Sequence, residues 1–219
     1  MTLDESLKNT LKTIPENVTL VAVSKTRTSD EILEMYQAGQ RDFGENKVQE
    51  LMRKQEILPT DIRWHQIGHL QKNKVKQIIP FSYLIHSVDS EKLLQTIEKE
   101  AAKNNRNVSV LLQIKIAQEE TKYGLSFEGA LNILREKKSG KFSHITIEGL
   151  MGMASFTDDL KQIKEEFCSL YHFYTQHQKD FNLTILSMGM SDDYPIAIEC
   201  GSTMVRIGTK LFGKRDYAV

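Results

Sequence analysis

Residues 18–39 read VTLVAVSKTRTSDEILEMYQAG and contain one complete strand-and-helix unit. The first six residues are apolar or β-branched, which is typical of a buried strand. Thr28 and Glu31 then form a capping-box pattern at a helix start, and Gly39 is typical of a residue that ends a helix. The turn Ser24-Lys25-Thr26-Arg27 contains no glycine. This stretch therefore disfavours a doubly wound open sheet, whose first turn is Gly-rich.

The same unit recurs along the 219 residues. Eight units of about 27 residues each match a (β/α)8 barrel of the TIM type, an α/β fold. Residues 1–17 add an N-terminal helix with Leu3, Leu7 and Leu11 on its apolar stripe, which we expect to plug one end of the barrel or pack on its side. No linker composition interrupts the chain, so we expect residues 1–219 to form one domain. The predicted strands are 18–23, a short one near 42–43, 62–67, 83–87, 108–116, 145–150, 183–186 and 203–207.

The charge balance argues against several classes of partner. Lys plus Arg and Asp plus Glu each number 29, so the formal net charge is zero and no overall field draws the chain to nucleic acid or an anionic membrane. The start of the chain lacks a secretory pattern, and no apolar run approaches the roughly 18 residues of a membrane span. We therefore expect a cytoplasmic protein with no nucleic-acid or membrane partner.

Cysteine and histidine usage predicts no metal site. Cys168 and Cys200 match no metal or redox spacing, and we expect both to be buried thiols. The six histidines show no metal-binding spacing either. His65 and His86 fall near the ends of the third and fourth predicted strands, where core or rim histidines with satisfied hydrogen bonds are the favoured interpretation.

Lys25 directly follows the first predicted strand, at the end where a TIM-type barrel carries its functional loops. Desolvation there lowers the pKa of a lysine and frees its amine to attack a carbonyl. The alternative is a lysine whose ammonium group reaches solvent. Position alone does not decide between these two roles.

The loops after the seventh and eighth strands carry groups that bind phosphate in such barrels. The first, Ser187-Met188-Gly189-Met190-Ser191-Asp192, offers a hydroxyl, a glycine and N–H groups at a helix start. The second, Arg206-Ile207-Gly208-Thr209, offers a glycine, a threonine donor and an arginine that strand alternation points inward. A phosphate site and a lysine on one rim suggest a ligand with an aldehyde and a phosphate. Pyridoxal 5′-phosphate (PLP) has both, and a phosphosugar bound as an imine by a Schiff-base aldolase fits equally.

Several motifs occur together and in order, namely VAVSKT at 21–26, FGEN at 43–46, WHQIGHLQKNK at 64–74, GLM at 149–151, SMGMSD at 187–192, and VRIGT at 205–209 with FG at 212–213. Over nearly the whole chain they resemble the pyridoxal phosphate homeostasis protein family. The resemblance implies a barrel like the N-terminal domain of alanine racemase, with PLP held covalently. At Tyr123 the family often has a smaller residue, which affects the lining of the mouth more than PLP binding.

Carried over residue by residue, the resemblance implies a Schiff base at Lys25. It also implies phosphate contacts from Ser187, Gly208 and Thr209, with Arg206 at the pyridine nitrogen and Asn46 beside the ring. A cation at that nitrogen disfavours ring protonation and makes the ring a poorer electron sink.

The implied function is PLP binding in intracellular vitamin B6 homeostasis, without catalytic turnover. In alanine racemase the second catalytic group, a tyrosine, comes from the other subunit's C-terminal domain, whereas this chain ends at Val219, just after strand eight. The alternative is a small PLP-dependent enzyme such as an amino-acid racemase. PLP-dependent apoenzymes are the implied partners, and we expect a monomer.

Overall fold

The computed structural model describes residues 2–119 and 123–213. Within them, eight parallel strands form a closed barrel in chain order, surrounded by α-helices. The (β/α)8 prediction is therefore confirmed. The strands are β1 (Thr19–Val23), β2 (Asp42–Glu45), β3 (Arg63–Gln66), β4 (Leu84–Val88), β5 (Val108–Ile114), β6 (Ile145–Gly152), β7 (Ile185–Ser187) and β8 (Met204–Ile207). The helices are α1 (Leu3–Leu11), α2 (Ser29–Gln37), α3 (Val48–Ile57), α4 (Val75–Ile78), α5 (Glu91–Lys103), α6 (Phe127–Lys138), α7 (Leu160–Phe181), α8 (Tyr194–Glu199) and α9 (Thr209–Phe212).

Pairing between the first and last strands closes the barrel. Thr19 of β1 lies in register with Met204 of β8, and Ala22 lies in register with Ile207. Closure removes the exposed edges that an open sheet would leave. The doubly wound alternative is therefore excluded.

The first predicted unit forms as its sequence indicates. Thr28 Oγ1 accepts the N–H of Glu31 at 3.2 Å, and a Glu31 carboxylate oxygen accepts the N–H of Thr28 at 2.7 Å, which completes the capping box of α2. Gly39 follows the helix with φ of +104°, a conformation that glycine adopts without steric cost. The capped start of α2 therefore fixes the point at which the loop after β1 ends.

Every observed strand differs from its predicted bounds by one or two residues at one or both ends, as at the carboxyl ends of β5 and β6. β5 ends at Ile114 rather than at 116, because the backbone N–H of Lys115 donates to the carbonyl of Leu125 at 3.0 Å. The returning chain thus occupies the end of β5. β6 continues two residues past the prediction, to Gly152.

Strand alternation separates two apolar regions. A small cluster lies inside the barrel, and the main core lies between the strands and the helices. Met204 of β8 belongs to the inner cluster, whereas Val205 and Ile207 belong to the main core. Arg206 therefore shares the inward face with Met204, as the alternation predicts.

The N-terminal helix α1 packs on the side of the barrel, against α2 and α9. Leu7 is buried, and the Ser6 hydroxyl donates to the carbonyl of Lys210 at 3.1 Å. The helix is shorter than the predicted segment 1–17, and Leu11 is 44% exposed, so its assignment to the buried stripe is wrong.

One of the two cysteine predictions is also wrong. Cys200 is buried, but Cys168 on α7 is partly exposed, because it lies at the edge of the face that α7 packs inward.

No helix in the ranges 2–119 and 123–213 combines the length and the apolar character that a bilayer span requires.

Candidate PLP site at the barrel mouth

A cavity of about 410 Å³ lies at the carboxyl ends of the strands. Five of the six residues predicted for a cofactor line it together: Lys25, Asn46, Arg206, Gly208 and Thr209. They come from the loops after β1 and β2, from β8, and from the turn into α9. The topology therefore brings residues that are up to 184 positions apart, from Lys25 to Thr209, to one rim.

Ser187 is the predicted site residue that does not line the cavity. It ends β7 with no exposed surface and lies beneath the mouth, where its hydroxyl contacts Arg206 and His86. Ser191, four residues later in the same motif, lines the cavity instead. β7 ends at Ser187, and Ser191 comes after the turn at Gly189, which explains the different placement.

Ser191 and the turn into α9 form a cradle of hydrogen-bonding groups. The Ser191 hydroxyl accepts the backbone N–H of Gly208 at 3.2 Å and that of Lys210 at 3.4 Å. A Cβ atom at Gly208 would lie 3.3 Å from the Cβ and the carbonyl oxygen of Val23, so glycine keeps this turn close to β1. Because the Ser191 oxygen accepts both N–H groups, its own hydroxyl proton is left to donate, and such a donor suits an anionic oxygen.

Backbone geometry restrains Lys25. The next residue, Thr26, has φ of +67°, which is strained for a β-branched residue. A Glu50 carboxylate oxygen accepts the N–H of Thr26 at 2.6 Å. This hydrogen bond holds the strained turn and thereby the direction in which Lys25 leaves the barrel.

A buried lysine, Lys54, holds the backbone of the residue just before Lys25. Lys54 Nζ donates to the carbonyl of Ser24, to Glu45 Oε1 and to Glu50 Oε1, each at 2.7 Å. We call these four residues the Lys54 cluster. Within the described residues Glu45 Oε2 has no hydrogen-bond partner, and burial raises the pKa of Glu45. The sequence analysis missed the cluster, although Glu50 and Lys54 have the i, i+4 spacing of a helical ion pair.

Arg206 is buried at the floor of the cavity. It donates to the Ser187 hydroxyl at 2.6 Å and to the carbonyl of Gly152 at 3.1 Å. Burial lowers the pKa of Arg206 to about 10, so it stays a cation at neutral pH. The floor of the cavity is therefore positively charged.

Asn46 lies beside the glycine of the next loop. A Cβ atom at Gly68 would lie 2.6 Å from the carbonyl oxygen of Asn46, and the Gln66 amide donates to that same oxygen at 3.0 Å. The hydrogen bond from Gln66 therefore holds the Asn46 backbone, and the missing side chain at Gly68 leaves the space that this backbone occupies. The glycine at position 68 was the feature of the sequence that could have predicted this close approach of the two backbones.

The opposite wall carries aromatic and amide groups that the sequence analysis did not assign to the site. His69 stacks on Tyr123 with ring centroids 4.4 Å apart, and His69 Nδ1 lies 2.9 Å from an Asp89 carboxylate oxygen. The Gln113 amide donates to the carbonyl of Tyr123 at 2.9 Å. Tyr123 was noted for its size alone, while its neighbours Thr121 and Lys122 lie outside the described residues.

No group of three or more His, Cys, Asp or Glu side chains in the described ranges is arranged to hold a metal ion. His65 and His86 are fully buried and contact each other. The mouth itself is lined by the Lys25 amine, by Arg206, by hydroxyl and amide groups, and by the side chains of His69 and Asp192.

Comparison with known proteins shows the family to which the chain belongs. The family model for alanine racemase, N-terminal domain, matches residues 2–216. The pyridoxal phosphate homeostasis protein of Helicobacter pylori is 41% identical over 197 residues, which cover 89% of this chain and 87% of that protein. The chain belongs to the pyridoxal phosphate homeostasis protein family. The family member of Pasteurella multocida is 38% identical over 213 residues, covering 93% of this chain and 90% of that protein.

Solved structures share the barrel. PipY of Synechococcus elongatus PCC7942, solved with PLP bound, superposes with a TM-score of 0.88 at 34% identity and covers 97% of this chain and 100% of its own. Alanine racemase of Clostridium difficile 630 superposes with a TM-score of 0.81 at 16% identity, and 58% of its length is covered. The second likeness shows the fold alone.

Proposed function

We propose that this protein binds PLP at the barrel mouth, covalently through Lys25, and acts in PLP homeostasis without turnover. The observation that carries the proposal is the convergence of a lysine amine and the Ser191–Gly208 cradle on one cavity. The names of the relatives and the PLP-bound structure of PipY support the same ligand. They favour PLP over the phosphosugar of a Schiff-base aldolase.

The residues at the mouth fit the parts of the ligand. The Lys25 amine condenses with the aldehyde, which forms one C=N bond and releases one water molecule. Gly208, Thr209 and Ser191 hold the phosphate, and we propose Ser191 in the role first predicted for Ser187, because Ser191 lines the cavity. Asn46 lies beside the ring, and Arg206 faces the ring nitrogen.

Bound PLP supplies an electron sink for carbanion chemistry. Arg206 limits that capacity, because its positive charge disfavours a proton on the ring nitrogen. The site therefore favours holding the ligand over turnover.

A small PLP enzyme such as an amino-acid racemase is the second candidate. Tyr123 and Lys25 both line the cavity, and racemisation by two bases needs a pair of proton-transfer groups. Exchange of the α-proton of amino acids in deuterated water tests this candidate. Exchange above the rate of free PLP would overturn the non-catalytic proposal.

Borohydride reduction followed by peptide mass spectrometry tests the covalent link. We expect one reduced PLP adduct on Lys25, and we expect Lys25→Ala to lose it. Lys47→Ala is the matched control, because Lys47 is an exposed lysine beside the same mouth. An adduct on another lysine, or none after incubation with PLP, contradicts the proposal.

We further propose a monomer that supplies PLP to PLP-dependent apoenzymes. The zero net charge supports neither a nucleic-acid nor a membrane partner. Light scattering with and without PLP tests the monomer, and a mass twice that of the chain would contradict it. A cytoplasmic location stays a prediction from the sequence.

A further inference from the structure

Five polar side chains form a continuous line of hydrogen bonds inside the barrel. Arg206 Nη1 lies 2.6 Å from the Ser187 hydroxyl oxygen, and that oxygen lies 3.2 Å from His86 Nδ1. His86 Nε2 lies 2.9 Å from His65 Nδ1, and His65 Nε2 lies 3.0 Å from Asp42 Oδ1. We call this line the Arg206–Asp42 chain. It connects the floor of the mouth to the start of β2.

The two ends of the chain fix the direction of every hydrogen bond in it. Arginine can only donate, so the Ser187 oxygen accepts from Arg206. Among the described residues, His86 Nδ1 is the other group within hydrogen-bond distance of this hydroxyl, so its buried proton has an acceptor only if it points to His86 Nδ1. His86 Nδ1 is then an acceptor, and the proton of His86 lies on Nε2. That N–H donates to His65 Nδ1, which leaves the proton of His65 on Nε2.

The far end requires the same direction. A carboxylate can only accept, so His65 Nε2 must carry the proton that Asp42 receives. Burial raises the pKa of Asp42, but the hydrogen bonds from Arg63 and His65 and the charge of Arg63 outweigh it, and the pKa falls to about 2. Asp42 is therefore ionised at neutral pH. The arrangement of protons that satisfies all four contacts and also gives the Ser187 hydroxyl proton an acceptor has both histidines neutral.

Burial makes this arrangement hard to replace. His65, His86 and Ser187 have no exposed surface, and Arg206 is 3% exposed. Burial, followed by the positive charge of Arg206, lowers the pKa of His86 well below its ordinary value. A second proton on His65 would put two N–H donors face to face, and a second proton on His86 would leave the Ser187 hydroxyl proton without an acceptor.

We propose that Asp42, His65, His86 and Ser187 act as positioning residues for Arg206, by forming a polarised hydrogen-bond chain in which both histidines are neutral and carry their proton on Nε2. The Arg206–Asp42 chain contacts the guanidinium group on the side away from the cavity. Residues of β2, β3, β4 and β7 together therefore set the direction in which Arg206 points toward the cavity. Only the effect of this chain on PLP rests on the proposed function. The proton arrangement is a property of the protein without ligand.

The first test needs no variant and no PLP. Spectra that correlate ring nitrogens with carbon-bound ring protons, recorded on the full chain with 15N-labelled histidine at pH 7, distinguish protonated from bare nitrogens. We expect His65 and His86 each to show a protonated Nε2 and a bare Nδ1. A proton on Nδ1 of either residue, or on both nitrogens, overturns the proposal.

The second test removes the link between Arg206 and the histidines. Ser187→Ala deletes a hydrogen bond to a charged group, so we expect PLP affinity to fall about tenfold, with a shift in the absorption band of bound PLP. Ser87→Ala is the matched control. Ser87 is also a fully buried serine on a barrel strand, but its hydroxyl has no hydrogen-bond partner among the described residues.

The two tests separate the proposals. Wild-type protein that fails to bind PLP contradicts the proposed function and leaves the histidine spectra as a valid test of the chain. A folded Ser187→Ala variant with the affinity and absorption band of the wild type contradicts the positioning role. If that variant does not fold, the wild-type histidine spectra still decide whether the chain exists.

Discussion

Strand β2 carries two buried carboxylates three residues apart, one on each face of the sheet. Asp42 points into the barrel and begins the Arg206–Asp42 chain, whereas Glu45 points outward toward α3 and joins the Lys54 cluster. Each has a cation within hydrogen-bond distance, Arg63 for Asp42 and Lys54 for Glu45. Their pKa values nevertheless move in opposite directions.

The difference lies in how completely the two carboxylates are hydrogen-bonded. Both oxygens of Asp42 have partners, since Arg63 binds both and His65 binds one. Glu45 has partners on Oε1 alone among the described residues, and its side chain has no exposed surface. A nearby cation therefore does not by itself keep a buried carboxylate acidic. The unsatisfied oxygen retains its desolvation cost.

The largest expected effect comes from breaking the Lys54 cluster. Lys54→Met keeps a long apolar stem but leaves Glu45 buried without its cation, which costs about 3–5 kcal/mol in proteins. We expect a loss of that size in the free energy of unfolding, measured by urea denaturation. Lys161→Met is the control, because it removes an exposed lysine whose pair with Glu165 spans 3.8 Å.

A double variant sharpens this result. Lys54→Met combined with Glu45→Gln removes both charges, so it should recover at least about 2 kcal/mol of the loss. The same stability in the single and double variants would show that the stem of Lys54, rather than its charge, stabilises the fold.

The next effect is a pH dependence of opposite sign at the two carboxylates. The pKa of Asp42 in the folded protein is about 2, below its ordinary value of 3.8, so the unfolded state binds the proton first as pH falls. This difference in pKa contributes about 2 kcal/mol to the free energy of unfolding. The contribution is complete above pH ~5, and roughly half of it is lost by pH 3. Urea denaturation of wild type and Asp42→Asn between pH 5 and 3 measures this loss.

Glu45 should show the reverse slope. Its pKa is raised above the ordinary value of 4.5, so the folded state binds the proton first as pH falls. Wild type should therefore lose stability relative to Glu45→Gln as pH rises above that value. If the stability of wild type instead increased relative to that of Glu45→Gln as pH rises, the raised pKa of Glu45 would be contradicted.

The smallest effect concerns the strained turn next to Lys25. Thr26 is exposed, so truncation of its side chain removes little packing. Because alanine keeps the left-handed strain and glycine relieves it, Thr26→Gly should be more stable than Thr26→Ala by about 1 kcal/mol. Thermal unfolding of the two variants measures this difference. Equal stability would mean that the turn relaxes when the side chain is removed.

Local patterns predicted the fold and part of the lining of the cavity. The apolar runs gave all eight strands within a few residues, and Lys25, Gly208 and Thr209 followed from their positions after strands. Arg206 followed from alternation along β8, because the period of a strand is fixed by its backbone.

Contacts between distant residues explain what the sequence did not predict. Ser187 and Ser191 occupy the same motif, and only the turn at Gly189 determines which of them lines the mouth. Glu45 was noticed beside Asn46, but its burial against Lys54 depends on the packing of α3 on β2. The pairing of His65 with His86 likewise depends on the neighbouring positions of β3 and β4 in the closed barrel.

The pairing of β1 with β8 has a consequence for synthesis of the protein on the ribosome. β1 leaves the exit tunnel long before its partner β8, which lies at residues 204–207. Until those residues emerge, one edge of β1 is unpaired and open to pairing with another nascent chain. Arg206, Gly208 and Thr209 emerge together with β8, so we expect binding of PLP to follow the synthesis of this strand and chaperones to engage the growing chain before it.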